Sequence, residues 1–169
     1  MHTPDHNQST LTLHLPDEAA TMALGRALAP LLGSGMVIYL EGDLGAGKTT
    51  LVRALLRSLG HQGPVKSPTY TLVEVYKLSS LYLYHFDFYR FNDPEEFVDA
   101  GLDDYFRQGA ACLVEWPDKA GAYVPAADLR LVFRFRADGG REVDLLPGSP
   151  GGASCLKCLN TQSSILPLA

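Results

Sequence analysis

The chain has 169 residues, of which 46% are hydrophobic, and this is enough for one domain with a substantial core but too little for two. Its net charge of -5 and its pI near 5.4 argue against a protein that grips nucleic-acid phosphates through a broad basic surface. No apolar run approaches the roughly 18 to 20 residues that span a bilayer, and the polar N-terminus lacks the basic and apolar regions of a signal peptide. We therefore expect a single cytoplasmic domain that does not associate with membranes.

The first third of the chain predicts alternating strands and helices. Residues 9 to 15 alternate apolar and polar side chains as a short strand does, and residues 16 to 33 have helical spacing that ends at a glycine. Residues 35 to 42 form a continuous apolar run, typical of a strand buried on both faces. A glycine-rich turn follows, and residues 48 to 60 then show leucines at helical spacing. The pattern β-α-β-α indicates an α/β fold.

The middle and the end of the chain predict hairpins and one further buried strand. Residues 70 to 77 and 81 to 89 are rich in β-branched and aromatic side chains and indicate an antiparallel hairpin. Asp93 resembles the N-cap of a short helix that starts with proline. Residues 110 to 116 form another apolar strand, and residues 128 to 146 indicate a hairpin that turns at an Asp-Gly-Gly sequence. The sheet is therefore expected to mix parallel and antiparallel strands.

Composition marks the C-terminal end of the chain as a flexible tail. Glycine, serine and proline are frequent from residue 147 to about residue 154. We expect one domain over residues 9 to 146, with flexible segments at 1 to 8 and 147 to 169.

The three cysteines do not form a disulfide framework. Cys112 lies in an apolar run and is most simply a core residue. Cys155 and Cys158 form an isolated C-x-x-C, which supplies only half of a tetrahedral zinc site and has no histidine nearby. We expect two cysteines without a ligand.

The sequence GDLGAGKT, residues 42 to 49, matches the phosphate-loop motif G-x-x-x-x-G-K-[ST] in full. A strand is predicted before it and a helix after it, which is the context the motif requires. Lys48 is expected to contact the β- and γ-phosphates of ATP, and Thr49 to offer its hydroxyl to Mg²⁺. Further nucleotide contacts are expected from Asp43, Leu44, Gly45, Ala46, Gly47 and Thr50.

Two acidic residues at the ends of predicted strands are candidates for the metal and for catalysis. Glu115 ends an apolar strand and Asp87 ends an aromatic one, at the edge where open α/β sheets bind ligands. Glu115 could instead be a carboxylate solvated at a strand end, or one that caps the chain. Asp87 could instead pair with Arg90 or accept a hydrogen bond from His85, which the period of two places on the same strand face.

Four segments, GDLGAGKTT, VKSPTYTLVE, YHFDFYR and CLVEWP, resemble in order and spacing the bacterial TsaE (YjeE) family. The resemblance extends from about residue 11 to about residue 146. It implies an α/β, P-loop NTPase-like domain with three layers and a mixed sheet. It also implies an Mg²⁺-dependent ATPase that acts with TsaB and TsaD, where TsaD transfers threonylcarbamoyl to the adenosine beside the tRNA anticodon. Contact with tRNA is then indirect, through the complex.

The resemblance also implies roles for individual residues. Lys48 and Thr49 resemble the phosphate-loop pair of the family, with Thr49 on Mg²⁺. Glu115 resembles its Walker-B-like metal ligand, and Asp87 resembles its second functional acid, which orients the attacking water. Lys48, Asp87 and Glu115 are therefore the expected catalytic residues.

The resemblance has implications for two further segments and for one tryptophan. The sequence SPTY at residues 67 to 70 resembles the switch-like segment of the family, with Thr69 placed to sense the γ-phosphate. A proline with two hydroxyl residues between a glycine and a hairpin also makes a loop that can rearrange, although a static turn is the alternative. Trp116 matches a tryptophan implicated in the family's function, and residues 16 to 21 match a segment bordering the adenine.

The phosphate loop by itself leaves other functions open. A small-molecule kinase could use the same loop with Asp87 as the base for a substrate hydroxyl, although no arginine-rich lid segment is evident. A nucleotide-dependent interaction module without catalysis is a third hypothesis.

Overall fold

The computed structural model describes residues 10–161, and the predicted tail at residues 1 to 8 lies outside this described part. The strands are β1 (Leu11–Leu15), β2 (Val37–Glu41), β3 (Val73–Lys77), β4 (Tyr82–Asp87), β5 (Ala111–Glu115), β6 (Leu129–Phe135) and β7 (Arg141–Pro147). The α-helices are α1 (Glu18–Leu28), α2 (Lys48–Ser58), α3 (Glu96–Asp99) and α4 (Pro150–Thr161), with 3₁₀ helices at Ala29–Leu31, Leu102–Arg107 and Pro117–Tyr123. Over residues 10–161, none of the helices has the length and apolar character needed to cross a membrane.

One seven-stranded sheet carries the fold, with the strand order β1-β7-β6-β2-β5-β4-β3. The four central strands β6, β2, β5 and β4 run parallel to one another. The outer pairs β1–β7, β7–β6 and β4–β3 are antiparallel. The predicted mixed sheet is therefore confirmed, as are the hairpins β3–β4 and β6–β7.

Helices and 3₁₀ segments cover the sheet on both faces and make three layers. Helices α1, α2 and α4 pack on one face, where Ile38 and Leu40 of β2 join their core. Helix α3 and the 3₁₀ segments that flank β5 cover the other face. Val37 of β2 belongs to the core on that face. This alternation along β2 follows from the period of two in a strand. The central strands are apolar on both sides because both faces are covered.

Helices α1 and α2 approach each other closely and bring the start of α1 toward the phosphate loop. A Cβ atom at Gly25 would lie 2.7 Å from the carbonyl oxygen of Leu51, so only glycine permits this packing distance. Helix α1 begins after Asp17, whose carboxylate accepts a hydrogen bond from the N–H of Ala20 at 2.9 Å.

The short helix α3 begins at Glu96, with Glu95 rather than the predicted Asp93 at its N-cap, but the predicted side-chain hydrogen bonds form just before it. The Asp93 carboxylate accepts from the N–H of Glu95 at 2.9 Å, and the Glu96 carboxylate accepts from the N–H of Asp93 at 3.2 Å. This reciprocal arrangement resembles a capping box. It stabilises only one turn, because α3 ends at Asp99.

The prediction of a flexible tail is wrong for residues 147–161. Strand β7 includes Pro147, and α4 follows it and buries Cys155, Leu156 and Leu159 in the core beside α1 and β7. Cys158 lies on the exposed side of the same helix, whereas Cys112 is buried in β5 as predicted. The rest of the predicted tail, residues 162–169, lies outside the described residues.

Small residues after β7 serve close packing. Cβ atoms at Gly148 and Gly152 would lie 2.2 Å and 1.7 Å from the carbonyl oxygens of Ala127 and Asp128. The Ser149 hydroxyl donates to Asp128 Oδ1 at 2.7 Å and accepts from the N–H of Gly152 at 3.2 Å, as an N-cap does. The glycine and serine content that predicted flexibility is therefore required by the docking of α4.

Candidate functional site

The phosphate loop connects the end of β2 to the start of α2 through glycines with positive φ. These are Gly42 at 144°, Gly45 at 79° and Gly47 at 109°. A Cβ atom at Gly42 would also lie 2.9 Å from the carbonyl oxygen of Phe133 on β6. The loop delivers the unpaired N–H groups of the first turn of α2 to the sheet edge, where they favour an anion.

Lys48 is held inside the loop and is only 5% exposed. Its Nζ donates a hydrogen bond to the carbonyl oxygen of Gly42 and lies 4.2 Å from the ring centroid of Trp116. Burial lowers the pKa of Lys48, and the nearby Glu115 and Asp87 carboxylates oppose this effect. The ammonium group therefore sits in a low-dielectric pocket with two acidic groups nearby.

One cleft of about 210 Å³ brings most of the predicted site residues together. Its lining consists of Leu44, Gly45, Gly47, Lys48, Thr49, Thr50, Ser67, Thr69, Asp87, Glu115 and Trp116. Two predicted nucleotide-binding residues lie elsewhere. Asp43 is exposed on the loop and lines neither of the two clefts beside it. Ala46 is buried and lines a neighbouring cleft.

Asp87 and Glu115 end adjacent parallel strands and are paired in register. Asp87 Oδ1 accepts from the N–H of Tyr89 at 2.8 Å, and the Thr69 hydroxyl lies 3.4 Å from its Oδ2. Burial raises the pKa of Asp87, and Glu115 adds to the rise, while the Tyr89 N–H, His85 and the Thr69 hydroxyl oppose it. Carboxylates with raised pKa values in clefts are typical of functional sites.

The alternative partners considered for Asp87 are engaged elsewhere. His85 Nε2 lies 2.7 Å from Glu115 Oε2 rather than bonding Asp87. The guanidinium of Arg90 stacks on the ring of Tyr70, 4.1 Å from its centroid. Among the residues described, Asp87 thus forms no ion pair, and the structure leaves its carboxylate in the cleft.

The predicted switch-like segment borders Asp87 directly. The hydroxyls of Ser67 and Thr69 lie 2.6 Å apart. Leu72 closes the segment with a φ of 70°, which is uncommon for a side-chain-bearing residue, and its N–H donates to the carbonyl of Pro68 at 2.7 Å. Its carbonyl in turn accepts from the N–H of Asp87 at 3.1 Å. A displacement of this segment would therefore reach Asp87 through both backbone and side-chain contacts.

A second cleft, of about 280 Å³, lies on the other side of the phosphate loop. Gly45, Gly47 and Thr50 line both clefts. The second is completed by Leu15, Pro16, Asp17, Glu18, Thr21, Ala46, Gly139, Gly140 and Arg141. The start of α1, which the resemblance associates with the adenine, therefore borders the loop.

Sequence reasoning missed two contacts of the loop. Arg141 Nη2 reaches from β7 and donates to the carbonyl oxygen of Gly45 at 3.2 Å, and no local motif signals this contact. Trp116, which the resemblance links to the function of the family, lies half-buried over Lys48 with a φ of 56°, and no sequence pattern indicates this contact. The positive φ turns the chain immediately after Glu115.

The acidic and hydroxyl groups of the cleft fit a Mg²⁺ ion that accompanies phosphates. No group of three or more His, Cys, Asp or Glu side chains within residues 10–161 could hold a metal through protein ligands alone. Mg²⁺ is usually bound through one or two carboxylates, phosphate oxygens and water. Thr49 and Glu115, which line the same cleft, offer that kind of incomplete set.

Comparison with known proteins finds a matching family and similar relatives. The family model described as "Threonylcarbamoyl adenosine biosynthesis protein TsaE" matches residues 15–143. The tRNA threonylcarbamoyladenosine biosynthesis protein TsaE of Haemophilus influenzae is 44% identical over 142 residues, which cover 81% of this chain and 89% of that protein. The Bacillus subtilis protein of the same name is 41% identical over 128 residues, covering 76% and 78%.

A solved structure shares the fold. The crystal structure of Bacillus subtilis YdiB superposes with a TM-score of 0.79 at 30% sequence identity and covers 92% of this chain and 97% of its own. The family match spans residues 15–143, the range that holds the phosphate loop and both strand-end acids, and the predicted resemblance is confirmed. The chain belongs to the TsaE family.

Proposed function

We propose that the chain hydrolyses ATP with Mg²⁺ and that this hydrolysis supports tRNA threonylcarbamoyladenosine biosynthesis, the process named for its relatives. The observation that carries the proposal is the cleft shared by Lys48, Thr49, Asp87 and Glu115 at the start of α2. A basic group, a hydroxyl and two carboxylates beside a glycine loop are the elements that phosphoryl transfer from a nucleotide requires.

The phosphates would lie in the first cleft and the nucleoside in the second, since the phosphate loop separates the two. The backbone of Gly45, Gly47 and Thr50 borders both, so it would contact the phosphates that join them. Asp43, Leu44 and Ala46 complete the loop as backbone contacts. The start of α1 and the β6–β7 turn would enclose the base and ribose.

The Thr49 hydroxyl and the Glu115 carboxylate would hold Mg²⁺, which supplies positive charge to the β- and γ-phosphate oxygens when bound. Lys48 adds a second positive charge from the loop. Its interaction with the carbonyl oxygen of Gly42 and the ring of Trp116 keeps the ammonium inside the cleft before the nucleotide arrives.

Asp87 would orient the attacking water. Its carboxylate is held by the N–H of Tyr89 and lies beside Thr69, and burial raises its pKa toward the range in which it can accept a proton. In hydrolysis the water oxygen bonds to the γ-phosphorus, the bond from that phosphorus to the β–γ bridging oxygen breaks, and a water proton passes to Asp87. The products are ADP and inorganic phosphate.

We further propose that TsaB and TsaD are the partners and that tRNA is reached only through them, in the cytoplasm. The net charge of -5 supports an indirect role toward tRNA, because the chain lacks the excess of basic residues typical of direct binding. Partner contacts would order the segment at residues 67 to 70 and so accelerate hydrolysis.

The test is ATP hydrolysis by the purified chain with and without TsaB and TsaD. We expect slow turnover alone and stimulation by both partners together. Asp87→Ala should lose turnover while retaining most nucleotide binding, and Glu115→Ala should lose Mg²⁺-dependent turnover.

Asp103→Ala is the matched control. It removes an exposed carboxylate, paired with Arg107, from the 3₁₀ helix on the other face of the sheet, and such exposed pairs contribute little to stability. Normal hydrolysis and normal support of tRNA modification by Asp87→Ala would show that the assignment of Asp87 is wrong.

A further inference from the structure

We propose that His85 is a positioning residue that holds the Glu115 carboxylate in the orientation required for Mg²⁺, an inference that rests on the proposed function of Glu115. His85 is 0% exposed and Glu115 is 3% exposed. The ring Nε2 lies 2.7 Å from Glu115 Oε2. No other side chain of the described residues forms a hydrogen bond with this carboxylate.

The register of the sheet places His85 behind Glu115 rather than in the cleft. On the parallel strands β4 and β5, His85 is paired with Leu113, and Asp87 is paired with Glu115. His85 is therefore one pleat repeat below the strand ends, and it lines neither cleft beside the phosphate loop. It approaches Glu115 from the interior of the sheet, while the carboxylate itself lines the cleft.

This contact distinguishes the two oxygens of Glu115. Oε2 is occupied by His85, whereas Oε1 has no hydrogen-bond partner within residues 10–161. A carboxylate that binds a cation only accepts hydrogen bonds, so the proposed role requires that the ring Nε2 of His85 carries the proton and donates it. With Oε2 held from behind, Oε1 is the oxygen available to a cation in the cleft.

The other ring nitrogen argues against a purely structural role for His85. Nδ1 is buried and has no hydrogen-bond partner among the described residues. A buried polar atom without a partner opposes folding, so packing alone would favour an apolar side chain at this position. The directed hydrogen bond to Glu115 is the interaction that an apolar residue could not provide.

Groups that orient a metal-binding side chain typically contribute about 10- to 100-fold to metal affinity or activity. We therefore expect His85 to act on the Mg²⁺-dependent part of nucleotide binding. Binding without metal should depend on the phosphate loop and change little.

The experiment measures binding of a fluorescent, non-hydrolysable ATP analogue, in EDTA and during Mg²⁺ titration. His85→Gln keeps an N–H donor near the position of Nε2, whereas the shorter amide of His85→Asn does not reach Glu115. His85→Phe removes both ring nitrogens. In His85→Asn and His85→Phe, the Mg²⁺ concentration for half-maximal binding should rise by about tenfold or more. His85→Gln should stay near the wild type, and affinity in EDTA should be unchanged in all three.

A double-mutant cycle with Glu115→Gln separates positioning from packing. Once Glu115 is altered, His85→Asn should cause no additional loss, because the two side chains act through one interaction. The same loss in both backgrounds would overturn the proposal, as would an unchanged Mg²⁺ requirement in His85→Asn. Thermal unfolding verifies that each variant is folded, and the Asn and Gln pair carries the test if His85→Phe does not fold.

The outcome also separates this inference from the proposed function. If the wild-type chain binds the analogue equally with and without Mg²⁺ and does not hydrolyse ATP, both the proposed function and the role of His85 are wrong. If binding by the wild type depends on Mg²⁺ but His85→Asn and His85→Gln behave alike, only the proposed role of His85 is wrong.

Discussion

Substitution of Gly152 by alanine tests the finding that α4 is part of the domain. The added Cβ would lie 1.7 Å from the carbonyl oxygen of Asp128 and 2.7 Å from its carbonyl carbon. Ordinary contacts between carbon and a carbonyl oxygen are no shorter than about 3.3 Å, so the helix must shift by roughly 1.5 Å. The shift breaks the bonds that Ser149 makes to Asp128 and Gly152.

The expected loss follows from the apolar surface that α4 buries. Leu156 and Leu159 are 5% and 1% exposed, and complete burial of a leucine contributes about 1.5–3 kcal/mol. A gap of 0.5–1 Å already removes about a quarter to a half of the dispersion attraction at such contacts. Together with the lost hydrogen bonds, Gly152→Ala should cost about 2–4 kcal/mol. For a chain of this size, the melting temperature should fall by roughly 5–15 °C.

Thermal unfolding followed by circular dichroism measures the effect, with Gly151→Ala as the matched control. The Cβ at Gly151 would meet Ser149 Oγ at 3.6 Å and Met36 Cε at 3.9 Å, which are ordinary contact distances. Alanine is also favoured over glycine in a helix by up to about 1 kcal/mol, so this variant should be as stable as the wild type or slightly more stable. No residue of α4 lines either cleft, so both variants should retain nucleotide affinity. Equal melting temperatures for the two variants would refute the docking of α4.

Three further perturbations concern the cleft. Gly42→Ala should weaken nucleotide binding and reduce the free energy of unfolding by about 1–3 kcal/mol, because Gly42 has a φ of 144° and lies against the carbonyl oxygen of Phe133. Calorimetry measures the binding, and thermal unfolding measures the stability. Lys48→Met should weaken binding of the ATP analogue about tenfold or more, since hydrogen bonds to charged groups contribute about 1.5–3 kcal/mol. Fluorescence titration measures this affinity, and an unchanged value would show that Lys48 does not contact the phosphates. Burial raises the pKa of Asp87 above its ordinary value of 3.8, because the folded state favours the protonated carboxyl group. The stabilisation of the folded state by this protonation is fully present below pH 3.8 and is lost as pH rises through the raised pKa. As pH rises above 3.8, Asp87→Asn should therefore become progressively more stable relative to the wild type. A melting-temperature difference that is constant with pH would contradict this.

Local patterns were sufficient to predict the phosphate loop and the elements around it. The glycine spacing, the apolar run before it and the leucines after it lie within about 25 consecutive residues, where chemistry and backbone geometry are coupled directly. Asp87 and Glu115 were also identified, because each follows an apolar strand in the sequence. That they line one cleft depends on β4 and β5 being parallel neighbours, which no local pattern specifies.

The sequence by itself therefore determined the α/β class, the family and the phosphate-loop motif, because these depend on short segments with characteristic spacing. Only the tertiary structure decided which groups meet across the sheet. In the tertiary structure, His85 forms a hydrogen bond with Glu115 rather than with Asp87. Arg141 contacts Gly45 of the phosphate loop, although the two residues are 96 positions apart in the sequence. The glycine-rich stretch that composition predicts to be a flexible tail is, in the structure, the packed junction between β7 and α4 together with the first turn of α4. Such contacts depend on strand order and on steric fit between distant residues, and the same composition is compatible with flexibility until those neighbours are in place.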